Sequence, residues 1–173
     1  WWYALYDRQG NFLSGVEAIA GLSKDRDSAL SAMLSTQYAS SPDGKHLCSA
    51  NVNVPVVSFA SVSGNMLWES KRLQAKFDCE KEAHGRTAKS YFNGVVSDDK
   101  YVYILYSGRR IIDREMLPNE CSHILVYDWE GNIKSHYVLS RPVCSICLTD
   151  DGFYAVSTWP SGKLLHFVLD TMQ

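Results

Sequence analysis

Cationic and aromatic side chains collect where predicted strands end, and their types suit an anionic or sugar ligand. Arg109 and Arg110 directly follow the predicted strand Tyr101–Tyr106 and a Ser-Gly pair. Guanidinium groups bind carboxylate or phosphate through paired hydrogen bonds, and aromatic rings at strand ends offer stacking surfaces. The predicted ligand-binding residues are Arg109, Arg110, Arg114, Arg86, His84, Tyr106 and Trp159.

Acidic residues lie among these cations, including Asp78, Glu80 and Asp113. A solvated surface of salt-bridged loops is therefore the alternative to a binding mouth. Packing between sheets is likewise an alternative role for Tyr106 and Trp159. Both alternatives stay open at the level of sequence.

Motifs of known catalytic or metal-binding chemistry are missing from the sequence. It has no G-x-S-x-G, H-E-x-x-H, P-loop or G-x-G-x-x-G pattern. His46, His123, His136 and His166 are scattered over predicted strands without an i, i+2 pair. We therefore predict no catalytic residue, no metal site and no cofactor.

Five cysteines are present, and an odd number cannot form a closed set of disulfides. Cys144 and Cys147 have the C-x-x-C spacing of redox and zinc motifs. They lie, however, in the apolar run Val143–Leu148, which is typical of a strand, and residues three apart on a strand face opposite sides. We expect core cysteines rather than a redox or zinc site.

Two turn signatures alternate along the chain, and they would position the residues described above. The first ends in Gly-Asn, which predicts a tight hairpin with a positive φ at the glycine. The second contains an aspartate just before a strand. The first occurs at Asp7–Asn11, Ser61–Asn65 and Asp128–Asn132, and the second at Ser41–Lys45, Ser97–Lys100 and Thr149–Gly152.

The aspartates of these turns share one position relative to the turn. At that position a carboxylate accepts hydrogen bonds from nearby backbone N–H groups. We therefore predict a structural role, rather than acid, base or metal-ligand chemistry, for Asp7, Asp43, Asp99, Asp128 and Asp151.

The alternation of turns predicts four-stranded antiparallel units of about 50 residues, the size of one propeller blade. The fold class is therefore all-β, with a single partial propeller domain over residues 1–173. The predicted blades cover residues 1–15 (two strands), 38–70, 91–139 and 143–169 (three strands).

The connections of such a propeller differ between its two faces. The long ones, Gly15–Gln37, Ser70–Ser90 and Ser107–Cys121, emerge together, while the opposite face has only short turns. Because loops on a rigid scaffold commonly carry binding residues, we predict that the long-loop face is functional. Within these connections Ser23–Ser35 is predicted as a helix and Leu73–Ala88 as a surface loop.

Composition limits the class of protein. The chain has 173 residues, a net charge of −2 and 46% hydrophobic residues, which fits one globular domain. Without a basic excess we expect no nucleic-acid partner. No run of 18 or more apolar residues occurs, so we expect no transmembrane segment in this chain.

Specific stretches resemble a known family. The stretch from Ser40 to Leu47 resembles the S-P-D-G-K-x-L repeat of TolB-type six-bladed propellers. Ser97–Arg109 and Ile124–Asn132 are similar to the TolB-like propeller family of Bacteroides-type bacteria. Many members of that family carry lipoprotein signals. This resemblance implies a six-bladed ring of which the chain supplies about half, and a periplasmic, outer-membrane or other cell-envelope location.

Half a ring would leave apolar blade faces open, so missing sequence or a homodimer would complete it. We expect a non-catalytic module whose long-loop face engages a protein or a small anionic or carbohydrate ligand. The alternative is an enzyme of the six-bladed hydrolase, lactonase or lyase kind, with its central site only partly in this chain. A structural scaffold in an envelope complex is the third possibility.

Overall fold

The computed structural model describes residues 3–16, 35–75, 88–110, 120–157 and 162–168. Within these ranges the chain is all-β, and its strands form antiparallel sheets. No helix in the described part of the chain has the length and hydropathy needed to cross a membrane. The fold class is the one predicted, and the sheets are consistent with a partial propeller.

Twelve strands follow one another along the described residues, and most neighbours in sequence pair through tight turns. Their bounds are β1 Tyr3–Tyr6, β2 Phe12–Val16, β3 Thr36–Ser40, β4 His46–Asn51, β5 Val56–Ser63, β6 Met66–Gln74, β7 Lys89–Ser97, β8 Tyr101–Arg110, β9 Cys121–Asp128, β10 Ile133–Thr149, β11 Gly152–Ser157 and β12 Lys163–Val168.

These strands form three sheets. Strands β1 and β2 form a hairpin, β3 to β6 form a four-stranded sheet, and β7 to β12 form a six-stranded sheet in chain order. Strand β10 is continuous from Ile133 to Thr149: its first part pairs with β9 and its last part with β11. The sequence region predicted to separate the third and fourth blades is therefore the middle of one long strand.

The predicted hairpin turns are confirmed where Gly-Asn was found. Gly10, Gly64 and Gly131 have φ values of 86°, 56° and 74°, which a residue with a side chain rarely adopts. In two of these turns the aspartate fixes the geometry. The backbone N–H of Asn132 donates to Asp128 Oδ1 at 2.7 Å, and that of Asn11 donates to Asp7 Oδ1 at 2.8 Å.

Three apolar clusters hold the sheets together. In the first, β1 and β2 pack on one face of the four-stranded sheet through Tyr3, Val56 and Leu67. In the second, the other face packs on the six-stranded sheet, with Phe59 against Tyr127 at a ring separation of 5.8 Å. The four-stranded sheet is thus covered on both faces, as a blade inside a propeller is.

The third cluster lies within the six-stranded sheet itself. Residues of β8 and β9 pack against residues of β11, and Tyr103 meets Phe153 edge-on at a ring separation of 5.1 Å. The sheet therefore folds over along β10, where Val143 is fully buried. Each half forms one packing layer, and the register of β10 with β9 shifts between the halves, from Val138 to Val143.

Several predicted ends of loops and strands differ from those in the structure. Leu73 and Gln74 belong to β6, so the predicted loop Leu73–Ala88 begins too early. Residues 76–87 lie outside the described residues, as does the predicted helix Ser23–Ser35 except for Ser35, which is not in a strand. The predicted loop from Ser107 also begins too early, since β8 continues to Arg110. Strand pairing in the sheet, rather than local composition, sets these ends.

The described cysteines differ in burial according to their positions in the sheets. Cys48 and Cys121 are fully buried, and burial raises the pKa of the Cys121 thiol to about 11. Cys144 is half-buried and Cys147 is exposed, so the prediction of core cysteines is wrong for this pair. Cys79 lies outside the described residues.

Candidate functional site

The short turns of two sheets enclose a pocket of about 590 Å³, which we call the turn pocket. One wall is the β3–β4 turn, and the other walls are the β7–β8 and β9–β10 turns. This volume falls in the range of small-molecule sites, about 300–1,000 Å³. The lining residues are Ser41, Pro42, Asp43, His46, Asp99, Lys100, Tyr101, Asp128, Trp129, Glu130 and Lys134.

The β3–β4 turn is fixed by its own side chains. Ser41 Oγ donates to Asp43 Oδ1 at 2.6 Å and accepts from the backbone N–H of His46 at 3.0 Å. The backbone N–H of Lys45 also donates to Asp43, and its ammonium lies 3.4 Å from that carboxylate. These hydrogen bonds, Ser41 first, lower the pKa of Asp43 to about 2. The turn is therefore a rigid wall.

The β7–β8 turn depends on Asp98, where the sequence analysis assigned Asp99. Asp98 Oδ1 accepts from the backbone N–H groups of Lys100 and Tyr101, both at 2.7 Å. Its other oxygen accepts from the Tyr103 hydroxyl at 2.8 Å. The prediction for Asp99 is therefore wrong, because Asp98 occupies the position that faces the turn backbone. Asp99 instead lines the turn pocket.

Trp129 joins the turns at the base of the pocket. Its indole Nε1–H donates to the carbonyl of Asp98 at 3.3 Å, and its ring stacks on His46 at 5.9 Å. The side chain is buried, so it ties the four-stranded sheet to the six-stranded sheet. Trp129 therefore links the β7–β8 and β9–β10 turns of one sheet to β4 of the other.

Charge in the turn pocket is partly neutralised within the protein. Lys134 Nζ lies 2.8 Å from Asp128 Oδ2. Partial burial alone would raise the pKa of Asp128, but hydrogen bonds from Lys134 and Asn132 outweigh it and lower the pKa to about 2. Among the described residues no ion pair engages the carboxylates of Asp99 and Glu130. These two carboxylates are exposed at the pocket and can accept hydrogen bonds from a ligand.

Three of the predicted binding residues, Tyr106, Arg109 and Arg110, are among the described residues. They lie at the end of β8 that is away from the turn pocket. Ser90 pairs with Arg109 and Lys89 pairs with Arg110 across the β7–β8 ladder, so two cations stand directly opposite each other. Tyr106 is half-buried, with its ring 5.7 Å from that of Phe92. Four of the predicted residues, Arg114, Arg86, His84 and Trp159, lie outside the described residues.

Two of the four histidines that are scattered over predicted strands meet in the folded sheet. His123 Nδ1 and His136 Nε2 are 2.9 Å apart, on adjacent strands β9 and β10. The sequence analysis did not predict this contact. An i, i+2 search within one strand cannot find it, whereas the hairpin register around the Asp128–Asn132 turn does.

Within the described part of the chain, no group of three or more His, Cys, Asp or Glu side chains comes together as a metal site. The other turn aspartates act locally: Thr149 Oγ1 donates to Asp151 at 2.8 Å, for example. The predicted structural role is confirmed for Asp7, Asp43, Asp128 and Asp151.

Comparison with protein families adds the decisive observation. A family model described as TolB-like 6-blade propeller-like matches residues 3–151. The chain belongs to this family. The TolB-like assignment accounts for the alternating turns and for a four-stranded sheet covered on both faces.

Other comparisons give little for this TolB-like chain. No curated protein matches it. Among solved structures it is similar to the crystal structure of Kluyvelomyces marxianus Hsv2, with 11% identity and a TM-score of 0.37. That similarity covers 76% of this chain and 38% of the other, so the chain spans well under half of that protein's length.

Proposed function

We propose that this TolB-like chain is a non-catalytic binding module that holds a neutral carbohydrate in the turn pocket. The observation that carries the proposal is the pocket itself, which three internally hydrogen-bonded turns from two sheets enclose. A preorganised site loses little conformational freedom on binding.

The lining supports a polyhydroxylated ligand. Carboxylates accept hydrogen bonds from hydroxyl groups, Lys100 donates to ring or hydroxyl oxygens, and Tyr101 offers an aromatic face. Four acidic and two lysine side chains line the pocket, which gives an acidic excess and disfavours an anionic ligand there. The long-loop face, first predicted from sequence, is therefore not the surface proposed for sugar binding.

The test is a thermal-shift and calorimetric screen of soluble neutral oligosaccharides against the native chain. We expect one class of oligosaccharide to stabilise the protein and to be recovered unchanged. Asp99→Asn and Glu130→Gln should each weaken that binding at least severalfold, because each removes a charged acceptor. Asp7→Asn, in an exposed turn outside the pocket, is the matched control and should bind as the native chain does.

Three results would count against this proposal. Equal binding by the native, Asp99→Asn and Glu130→Gln proteins would place the sugar elsewhere. If no neutral oligosaccharide binds, neutral carbohydrates are excluded as the ligand. Conversion of the sugar to a product would replace the binding module with the enzyme alternative.

A second candidate function is anion binding at the end of β8, and the facing cations Lys89 and Arg110 favour it. Like charges directly opposite on a sheet repel each other, so an anionic group bound between them would be stabilised. Inorganic phosphate is the probe. The binding should be lost in Arg110→Gln and retained in Glu130→Gln, and the reverse pattern would argue against this site.

We also propose that the protein is a lipoprotein of the bacterial cell envelope. The support is the resemblance to the TolB-like propeller family of Bacteroides-type bacteria. A protein or small ligand of the envelope would then be the partner. Fractionation of the native host, followed by detection of the protein, tests this location.

A further inference from the structure

The contact between His123 and His136 places two imidazoles on one face of the six-stranded sheet. Their facing nitrogens are 2.9 Å apart, the ring centroids are 5.0 Å apart and the rings are tilted by 36°. At this separation one imidazole donates a hydrogen bond and the other accepts it. Two ring nitrogens therefore converge on one point outside the turn pocket.

Strand register brings the two rings together. His123 pairs with Val138 on one side and with Tyr106 on the other, and His136 is two residues from Val138 on the same face. The ring of Tyr106 lies 6.2 Å from that of His123. Diagonal neighbours of this kind are within reach of each other on an antiparallel pair. The arrangement is therefore fixed by backbone pairing.

The two imidazoles have the donor atoms and the access that a metal ion needs. Each neutral ring has one nitrogen with a free lone pair, which is the form that binds metals. Both rings reach solvent, since His123 is half-buried and His136 is exposed.

We propose that His123 and His136 form an open binding site for a divalent transition metal of the zinc and copper class. Imidazole nitrogen is a preferred ligand of these ions. Two nitrogens at a Zn–N distance of about 2.0–2.1 Å in a tetrahedral site are roughly 3.3 Å apart, so a small rotation of the rings admits the ion. Water would complete the coordination shell.

The experiment is a calorimetric titration of the tag-free, chelator-treated chain with zinc chloride near neutral pH. We expect one zinc ion per chain, and at least a tenfold loss of affinity in both His123→Gln and His136→Gln. His166→Gln is the matched control, because His166 lies on β12 beside Asp151 and stacks on Tyr154. It should bind zinc as the native chain does.

Arg109→Gln gives a second, opposite test. Removing a positive charge near His123 should tighten zinc binding severalfold, because the guanidinium repels the ion.

Copper provides a readout that a change in folding would not imitate. With copper(II) bound to the native chain, electron paramagnetic resonance should show coupling to nitrogen, and His123→Gln should reduce it. Unchanged zinc affinity in both histidine variants would overturn the proposal. So would a native chain that binds zinc no more tightly than a variant with both His123→Gln and His136→Gln. Neither result would affect the carbohydrate proposal, which depends on other residues.

Discussion

At the residue scale, the position of an aspartate within its turn decides which contacts its carboxylate makes. Asp98 and Asp99 are adjacent and chemically identical, yet one accepts two backbone hydrogen bonds while the other lines the turn pocket. The difference arises because neighbouring side chains in an extended turn point in different directions. A sequence signature can therefore locate such a turn within one residue and still assign its carboxylate wrongly.

Asp128 supplies a prediction about pH. Its pKa is lowered from 3.8 to about 2 in the folded chain, so the ionised form stabilises the fold. This stabilisation is complete above pH 3.8 and is lost as the pH falls to about 2. Asp128→Asn should lower the free energy of unfolding by about 1–2 kcal/mol near neutral pH and flatten that acid transition. Urea melts at several pH values measure both effects.

Asp7→Asn is the matched control for Asp128, since Asp7 accepts the same backbone and side-chain hydrogen bonds in the same type of turn, but no ion pair among the described residues engages it. Its substitution should change stability less. Equal losses in the two variants would show that the ion pair between Asp128 and Lys134 contributes nothing measurable.

At the element scale, two hairpin turns share one backbone shape but differ in their surroundings. Gly64 and Gly131 both have positive φ, and a Cβ atom at Gly64 would meet nothing within 4 Å. A Cβ at Gly131 would lie 2.8 Å from Phe59 and 2.9 Å from Lys71, on the neighbouring sheet. The turn at Gly131 is therefore also part of the contact between sheets.

Gly131→Ala and Gly64→Ala test this difference directly. Each variant should lose about 1–2 kcal/mol because alanine is strained at positive φ. Gly131→Ala should lose a further 1–3 kcal/mol, roughly, because the added methyl group overpacks the contact with Phe59. Chemical denaturation of both variants gives the comparison, and losses of equal size would contradict the close contact.

Strand ends were harder to predict than strands. The predicted connection Ser70–Ser90 begins too early: β6 continues past Lys71 and Arg72 because β5 offers backbone partners as far as Gln74. Likewise β10 continues through Arg141 and Pro142, where the register with β9 shifts between Val138 and Val143. Cross-strand pairing is a non-local interaction, and composition around a residue does not contain it.

At the scale of the whole molecule, one face of β11 and β12 exposes four apolar side chains among the described residues, with His166 between them. On β11 and β12 the side chains of Tyr154, Val156, Leu164 and Val168 are 39%, 39%, 67% and 68% exposed. Their register places them on one face, opposite the buried Phe153 and Ala155. In a propeller ring such a face packs against the next blade.

We propose that a second copy of the chain covers this face. Light scattering after size exclusion should then give a mass near twice 19.5 kDa. Leu164→Lys should shift the mass to 19.5 kDa without loss of folding, because the new charge cannot be buried against an apolar partner. Ile133→Lys, at an exposed position in a different hairpin end, is the control and should keep the larger mass.

A native chain that elutes as a monomer would contradict a second copy as the partner. A dimer that persists in Leu164→Lys would place the interface on another surface. Both results leave the turn pocket intact, since it lies wholly within one chain.

Sequence alone was sufficient to predict the all-β class, the alternating turns and the family resemblance, because turn chemistry is local and repeats along the chain. It also located the aspartates that cap turns to within one residue. It directed the search to the long connections, where Arg109 and Arg110 instead belong to a paired strand. The folded sheets were needed to show that short turns from two sheets enclose a pocket, because sheet packing joins residues far apart in the chain and leaves no local pattern. The contact between His123 and His136 depends on the register of one hairpin, which the positions of the histidines in the sequence do not display.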